Sequence, residues 1–417
     1  MNPSILYYSD CPFFAGCENM LTNFFNSKEL LASYNVSFIY RYTPEYEIGL
    51  NKRVFTSFET TSVQIYDHYD LYTLIDSTRW KILNKPLKII INLLLIKYVF
   101  LFVNTITLWK TIRRTKIDIL HINNGGYPGA YSTIAMVFAA KLCGLRRIIF
   151  VVNNIAQGYR SPERWLDYFF DRIVIRGVAV FVTGSQYAGY QLHKNLDVPQ
   201  SSINCIHNGI ACRIITETRE QVLQRLRLPE NSLIFSVIAI LEERKGQIYL
   251  LQALKQFKDT YGTTKMPFCI IEGTGTDEEL LKRFVKEQGL EENVHFIPHE
   301  PQIFNLINAS DCIVLPSVKN EDFPNIILES MSLSKPIIAS KFSGIPEQIE
   351  HMKSGLLVKP RDVSGLMDAI KLIVDNKNLR IELGRNAKMS FDTQFTDRIA
   401  VKRYSELYNQ LIEETPL

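Results

Sequence analysis

The sequence predicts an α/β fold of two doubly wound domains, each a parallel sheet wrapped by helices. Three observations predict it. The chain has 417 residues, more than one ordinary hydrophobic core serves. Short apolar, β-rich runs alternate with longer helical patterns, which calls for parallel strands joined by right-handed β-α-β crossovers. The alternation pauses once, near Asn208–Arg227, and so divides the chain into two series.

The first series comprises Ile5–Tyr8, Ser37–Tyr40, Ile117–Ile122, Ile148–Val152 and Ala179–Thr183. The second comprises Leu233–Ile240, Pro267–Glu272, Val294–Ile297, Cys312–Leu315 and Pro336–Ala339. We place the first domain at residues 1–210 and the second at 211–390. Residues 391–417 read as a helix crossing back to the first domain. Within it, Phe391–Glu414 reads as one amphipathic helix with Tyr404, Leu407, Tyr408 and Leu411 on one face. Open sheets of this kind bind ligands at their carboxyl ends, so the two domains are expected to face a central cleft. A hinge near Asn208–Gly209 would let them close on a ligand.

Composition narrows the function. The hydrophobic fraction is 46% and the net charge +4. With no basic recognition module, nucleic acid is not an expected partner. The seven cysteines are odd in number and contain no C-x-x-C pair, which argues against a disulfide framework or zinc site and for a reducing compartment. Cys11 and Cys17 are separated by five residues around a loop. The N-terminal MNPSILYYSD lacks the basic and apolar regions of a signal peptide.

Residues 77–117 hold nine Lys/Arg and no Asp or Glu. Within them Ile89–Trp109 is strongly apolar, broken by Asn92, Lys97 and Asn104. Lys97 near mid-bilayer would cost about 2.5–3.5 kcal/mol, which disfavours a span. Lys97, Asn104 and Thr111 recur every seven residues as one polar strip. The segment Trp80–Lys116 therefore reads as lying on a membrane surface, with its cations at acidic headgroups. A buried domain helix with a basic rim is the alternative.

The stretch EDFPNIILESMS, Glu321 to Ser332, carries the chemistry. Spacing alone says little, because Glu279/Glu287 and Glu292/Glu300 are also eight apart. The surroundings differ. Strand Cys312–Leu315 ends in Pro316–Ser317, a loop runs to Phe323, and Pro324 suits the first position of a helix. A helix start at the carboxyl end of a strand can hold a diphosphate or sugar oxygens on its free N–H groups. Glu321 lies before that start. Glu329 lies about five residues in, some 7.5 Å along the axis. The two acids can thus reach different parts of one elongated ligand.

Here the residues carry a resemblance. The stretch from Ser317 through EDFPNIILESMSLSKPIIASKFSGIPEQI resembles the E-x7-E region of retaining glycosyltransferases of family 4, which have the GT-B fold. FAGCENML (Phe14–Leu21) resembles the family's Gly-Gly loop, IHNGI (Ile206–Ile210) its domain-closing Asn-Gly, LEERKG (Leu241–Gly246) its Arg…Lys-Gly segment and EGTG (Glu272–Gly275) its Gly-x-Gly turn. ASDCIVLPS and SGLLVKPRD complete the pattern. The resemblance implies transfer of a sugar from a nucleotide-sugar donor with retention and with no metal or cofactor. It implies that Glu321 contacts the donor sugar and Glu329 the ribose hydroxyls. Phe323, Pro324, Asn325 and Ile326 would face sugar and phosphate, and Lys245 would neutralise the diphosphate. Gly16 and Gly273 would let the backbone approach the donor. The leaving diphosphate gains charge in the transition state, so cations and N–H donors are what a metal-free site needs.

The chain departs from the family at three places. The usual Arg aligns with Ile240, and Arg244 is the candidate substitute. The first glycine of the Gly-Gly loop is Ala15. A His common at the end of the fourth strand is replaced by Asn153 or Asn154, and an amide cannot take a proton as imidazole does. Asn153 is nevertheless placed with Glu321 as a catalytic candidate. The expected acceptor is a growing, lipid-linked glycan of bacterial surface polysaccharide, met on the cytoplasmic face of the membrane. A non-catalytic binding subunit and a nucleotide-sugar 2-epimerase are the alternatives. His121 and Tyr127, in DILHINNGGYPG, are further candidates for lining the cleft, Tyr127 by stacking on sugar or lipid.

Overall fold

The computed structural model describes residues 2–14, 16–77, 84–88, 91, 95–300 and 302–414. The expectations for Ala15, Trp80, Ile89 and Asn92 fall outside the described residues. The chain forms two compact units, Met1–His207 with Ala400–Leu417, and Asn208–Ile399.

Unit 1 is built on seven parallel strands: β1 (Ser4–Ser9), β2 (Asn35–Arg41), β3 (Glu59–Val63), β4 (Ile119–Asn124), β5 (Ile148–Val152), β6 (Val180–Thr183) and β7 (Ile203–Cys205), in the order β3-β2-β1-β4-β5-β6-β7. The period of two along β1 sorts its side chains between two cores. Leu6 and Tyr8 join the layer that includes Leu101, Leu108 and Ile134. Ile5 and Tyr7 join the layer that includes Phe24, Phe25 and Tyr404. Strands buried on both faces read as apolar runs, which is why β1, β5 and the first half of β4 were legible. The edge strand β3, ETTSV, exposes four of its five residues and offers no such run.

Unit 2 is a six-stranded parallel sheet of β8 (Ile234–Ile238), β9 (Phe268–Glu272), β10 (Val294–Ile297), β11 (Cys312–Leu315), β12 (Ile337–Ser340) and β13 (Leu356–Val358), ordered β10-β9-β8-β11-β12-β13. Phe235 and Val237 face one core with helix Gln247–Tyr261, while Ile234 and Ile238 face another.

Two expectations are corrected. The C-terminal stretch is not one helix from Phe391: helix Lys377–Gln394 ends, Phe395 and Thr396 are non-helical, and helix Asp397–Glu414 begins anew. The break is used by the backbone, since Ile210 N–H donates to Phe395 C=O and Asp397 N–H to Ile210 C=O. The apolar stripe Tyr404, Leu407, Tyr408 and Leu411 is buried in unit 1. The strip Lys97, Asn104 and Thr111 does not face outward. In helix Ile96–Ile112, Lys97 is ion-paired to Asp167 at 3.0 Å. Asn104 is 1% exposed and exchanges two hydrogen bonds with the Tyr66 backbone. A buried cation and amide need such partners, so the polar strip turns inward. The outward side carries Val99 and Phe102 instead.

Candidate active site

In unit 2 the strand order reverses between β8 and β11, and the loops leaving their carboxyl ends diverge around a crevice. After β8 the short turn Glu243–Lys245 leads to Gly246 at φ +68, which opens helix Gln247–Tyr261. A Cβ at Gly246 would lie 2.1 Å from the Pro316 carbonyl oxygen, so only glycine lets this loop lie flush on the loop after β11. The Arg244 carbonyl accepts from Val318 N–H at 2.8 Å and locks the two loops together. That seam brings Lys245 Nζ onto Glu321 Oε2 as an ion pair, with side chains 13% and 11% exposed. The buried Ser317 donates to the same oxygen at 3.0 Å.

Beyond Glu321, the buried Phe323 ring packs edge-on against Phe395 at 5.8 Å, so its side chain anchors the loop and only its backbone can meet a ligand. Pro324 stands at the N-cap, not at the first helical position, with φ −67 and ψ 128; the helix is Asn325–Ser332. Gln348 donates to the Pro324 carbonyl and fixes the entry. Asn325, Ile326 and Glu329 are half-buried along its first two turns. Gly273, at φ +127, has its Cβ position 2.2 Å from the Ala239 carbonyl oxygen. The role the structure shows for it is packing of the β9 turn on the β8 turn. Arg244 directs its guanidinium at Glu242 and the Asn320 carbonyl, beside Glu321, while Ile240 is exposed.

Unit 1 has its own switch point between β1 and β4. Gly16 starts the turn Gly16–Glu18 after β1. A cavity of about 800 Å³ opens there, lined in part by Asp10, Glu18, Arg41, Asp67, Asp70 and Asn123. Asp10 is pushed up to about 6 by burial, partly offset by the Arg41 guanidinium. Arg41 is held between Asp10 and Asp70. Glu18 is fully buried and pushed up to about 8 by desolvation, then by the nearby Cys11. Its oxygens accept from Ser9 Oγ at 2.7 Å and Asn123 Nδ2 at 3.1 Å. Asn153 Nδ2 donates to Asn123 Oδ1 and the Asn124 carbonyl, so Asn153 is tied to β4 and offers its oxygen, an acceptor for a sugar hydroxyl. Sequence reasoning missed Asp10 and Glu18. The available signal was their place directly after β1, at the edge of the Gly16 loop.

His121 and Tyr127 are corrected. His121 is 1% exposed, bonded through Nδ1 to the Tyr408 hydroxyl at 2.8 Å, and burial pushes it down to about 3. Tyr127 is 1% exposed and donates to Asp171. Neither is placed to meet a ligand, because each ring is buried in the core.

The family model for "Glycosyl transferases group 1" matches residues 218–390, and the model for "Glycosyltransferase Family 4" matches residues 74–213. The chain belongs to glycosyltransferase family 4. Among curated relatives, this chain is 24% identical over 270 residues to D-inositol 3-phosphate glycosyltransferase of Corynebacterium jeikeium, covering 62% of this chain and 64% of that one, slightly less than two thirds. It is 27% identical over 318 residues to the O-antigen biosynthesis glycosyltransferase WclY of Escherichia coli, covering 72% of this chain and 81% of that one. The crystal structure of Anabaena Alr3699/HepE in complex with UDP superposes with a TM-score of 0.74 at 17% identity, covering 98% of this chain and all of that one. The chain has the GT-B fold.

Proposed function

We propose that this glycosyltransferase moves a hexosyl group from a nucleotide-sugar donor, held by unit 2, to a glycan acceptor, with retention and without a metal at the diphosphate. The observation that carries the reading is the Lys245–Glu321–Ser317 cluster at the start of helix Asn325–Ser332. The helix start supplies N–H donors and a partial positive charge for the diphosphate. Lys245 adds a full cation where the leaving group gains charge. Glu321 stands beside the sugar, and Glu329 lies along the helix at the ribose. The UDP complex of the Anabaena structure supports a nucleotide donor. Retention is compatible with a leaving-phosphate oxygen taking the acceptor's proton, so no imidazole is required at Asn153. The acidic cavity of unit 1 suits an acceptor bound through hydroxyls, which donate to carboxylates.

The acceptor we assign is lipid-linked, met at the cytoplasmic face in bacterial surface-polysaccharide synthesis; the likeness to WclY supports the pathway class. Among the described residues no helix is long and apolar enough to cross a membrane. A peripheral contact has a candidate surface. Val99 and Phe102 are exposed on helix Ile96–Ile112, and Trp165, Phe169 and Ile173 on the helical segment that stacks beside it through Tyr98 and Phe170. Exposed Arg113, Arg114 and Lys116 follow the first helix. Apolar insertion plus cations is the pairing that anionic bilayers hold.

A thermal-shift panel against UDP-, GDP-, ADP- and CMP-linked sugars tests the donor reading, with Glu329→Ala alongside. Ligand at 100 Kd adds about 2.7 kcal/mol. One nucleotide class should raise Tm in the wild type and not in the variant. No shift with any nucleotide sugar would overturn the reading.

A further inference from the structure

Cys11, Cys17 and Glu18 gather at the wall of the unit 1 cavity, and no step of sugar transfer uses the two thiols. Two sulfurs and one carboxylate oxygen all lie within 4.8 Å of one another. The carboxylate is oriented from behind by hydrogen bonds from Ser9 Oγ and Asn123 Nδ2, as donors behind a metal ligand hold it in place. Tyr46 supplies an independent observation. It is fully buried, its ring packed against Phe14 and Tyr40, and its hydroxyl makes no hydrogen bond of full geometry, with only the Ser9 side chain, among the described residues, near enough to share one. That hydroxyl lies in the electrostatic neighbourhood of Glu18, Cys11 and Cys17. A buried hydroxyl left unmatched costs about 1–3 kcal/mol, and Ser9, which already donates to Glu18, matches it only in part, so a further polar group fits beside it.

We propose that Cys11, Cys17 and Glu18 bind one zinc ion, with a water as fourth ligand hydrogen-bonded to the Tyr46 hydroxyl. Two thiolates, one carboxylate and one water make a tetrahedral set that zinc accepts. Soft thiolate ligands select against magnesium and calcium. Binding releases both thiol protons and any proton on Glu18 to solvent. The ion would tie Cys11 to the turn Gly16–Glu18, and so would be structural to unit 1. The proposal goes beyond the transfer reading and does not rest on it. Its ligands are also not those a C-x-x-C search finds, because Cys11 and Cys17 are brought together by a loop and Glu18 by the turn after it.

The test is titration of the reduced full-length protein with cobalt(II), followed by displacement with zinc. We expect one equivalent to give a thiolate-to-cobalt charge-transfer band and d–d bands of tetrahedral intensity. Cys11→Ser and Cys17→Ser should each weaken the charge-transfer band by about half or more, the double variant should lose it, and Cys212→Ser, at an exposed thiol, should keep it. Tyr46→Phe should keep the band and weaken affinity about ten- to a hundredfold. X-ray absorption on the zinc form of the wild type needs no variant to fold. It should show two sulfurs at about 2.3 Å and lighter neighbours at about 2.0 Å. No band in the reduced wild type overturns the proposal. So does a band that survives in the double Cys11→Ser/Cys17→Ser protein, or a Cys11–Cys17 disulfide that reductant opens without metal uptake.

Discussion

Lys245 and Glu321 each hold the other's charge in a largely buried place, so their loss can be read in two ways at once. Lys245→Ala strands a near-buried carboxylate and should cost unit 2 about 3–5 kcal/mol. It should also lower kcat by about 10²–10³ through the lost cation. Pairing Lys245→Met with Glu321→Gln should return most of the Tm and none of the kcat; activity recovering with stability would show that the pair is only structural. Gly246→Ala forces a left-handed residue into the Pro316 carbonyl. It should destabilise unit 2 by at least about 1–2 kcal/mol, visible in urea unfolding as a lower midpoint at unchanged slope. His121 sets a pH dependence. Its folded pKa is depressed to about 3 from the usual 6.5, so between those values the unfolded chain binds the extra proton. Its contribution is intact above about 6.5 and is lost as pH falls toward 3, by up to about 1.4 kcal/mol per pH unit. His121→Gln should flatten that part of the stability profile; an unchanged profile would refute the assignment.

The elements differ in how openly the sequence declared them. Strands β5 and β11 are apolar along their whole length and buried on both faces, β4 and β9 carry apolar runs that end in polar residues, and all four runs were plain. Strands β7 and β13 have three residues each, too few for any period to show. Helix Ile96–Ile112 taught the opposite lesson. Its seven-residue polar strip was real, but periodicity says which residues share a face, not which way the face turns. Asp167 and the Tyr66 backbone decided that by offering partners inside unit 1. The exposed side is therefore apolar, and it carries a prediction. Phe102→Ser with Trp165→Ser and Phe169→Ser should abolish flotation with anionic liposomes while leaving Tm nearly unchanged, since all three side chains are more than half exposed. A wild-type protein that stays in the soluble fraction would end the membrane reading.

At the scale of the whole molecule, the last helix completes unit 1. Residues from Ala400 onward belong to unit 1, and Tyr404, Leu407, Tyr408 and Leu411 lie buried among Tyr7, Phe24 and His121. Each large apolar side chain so buried is worth about 1.5–3 kcal/mol. Deleting residues 400–417 should therefore unfold unit 1 rather than merely free a tail. Differential scanning calorimetry would show the unit 1 transition lost; two intact transitions would contradict this role.

The sequence by itself determined the alternation of strands and helices, the division into two sheets, and the motif order that marks family 4. These are local or periodic properties, written into each segment by burial and by turn residues such as Gly246 and Pro324. It also named Glu321 and Lys245, because they sit in recognisable loops at strand ends. Tertiary structure alone decided that Lys245 meets Glu321 and that Asn153 is tied to β4. It also decided that His121 and Tyr127 are core residues, and that Cys11, Cys17 and Glu18 converge. Those facts depend on distances between segments far apart in the chain or around an irregular loop, and on which partner a buried polar group finds there. No period in the sequence records either.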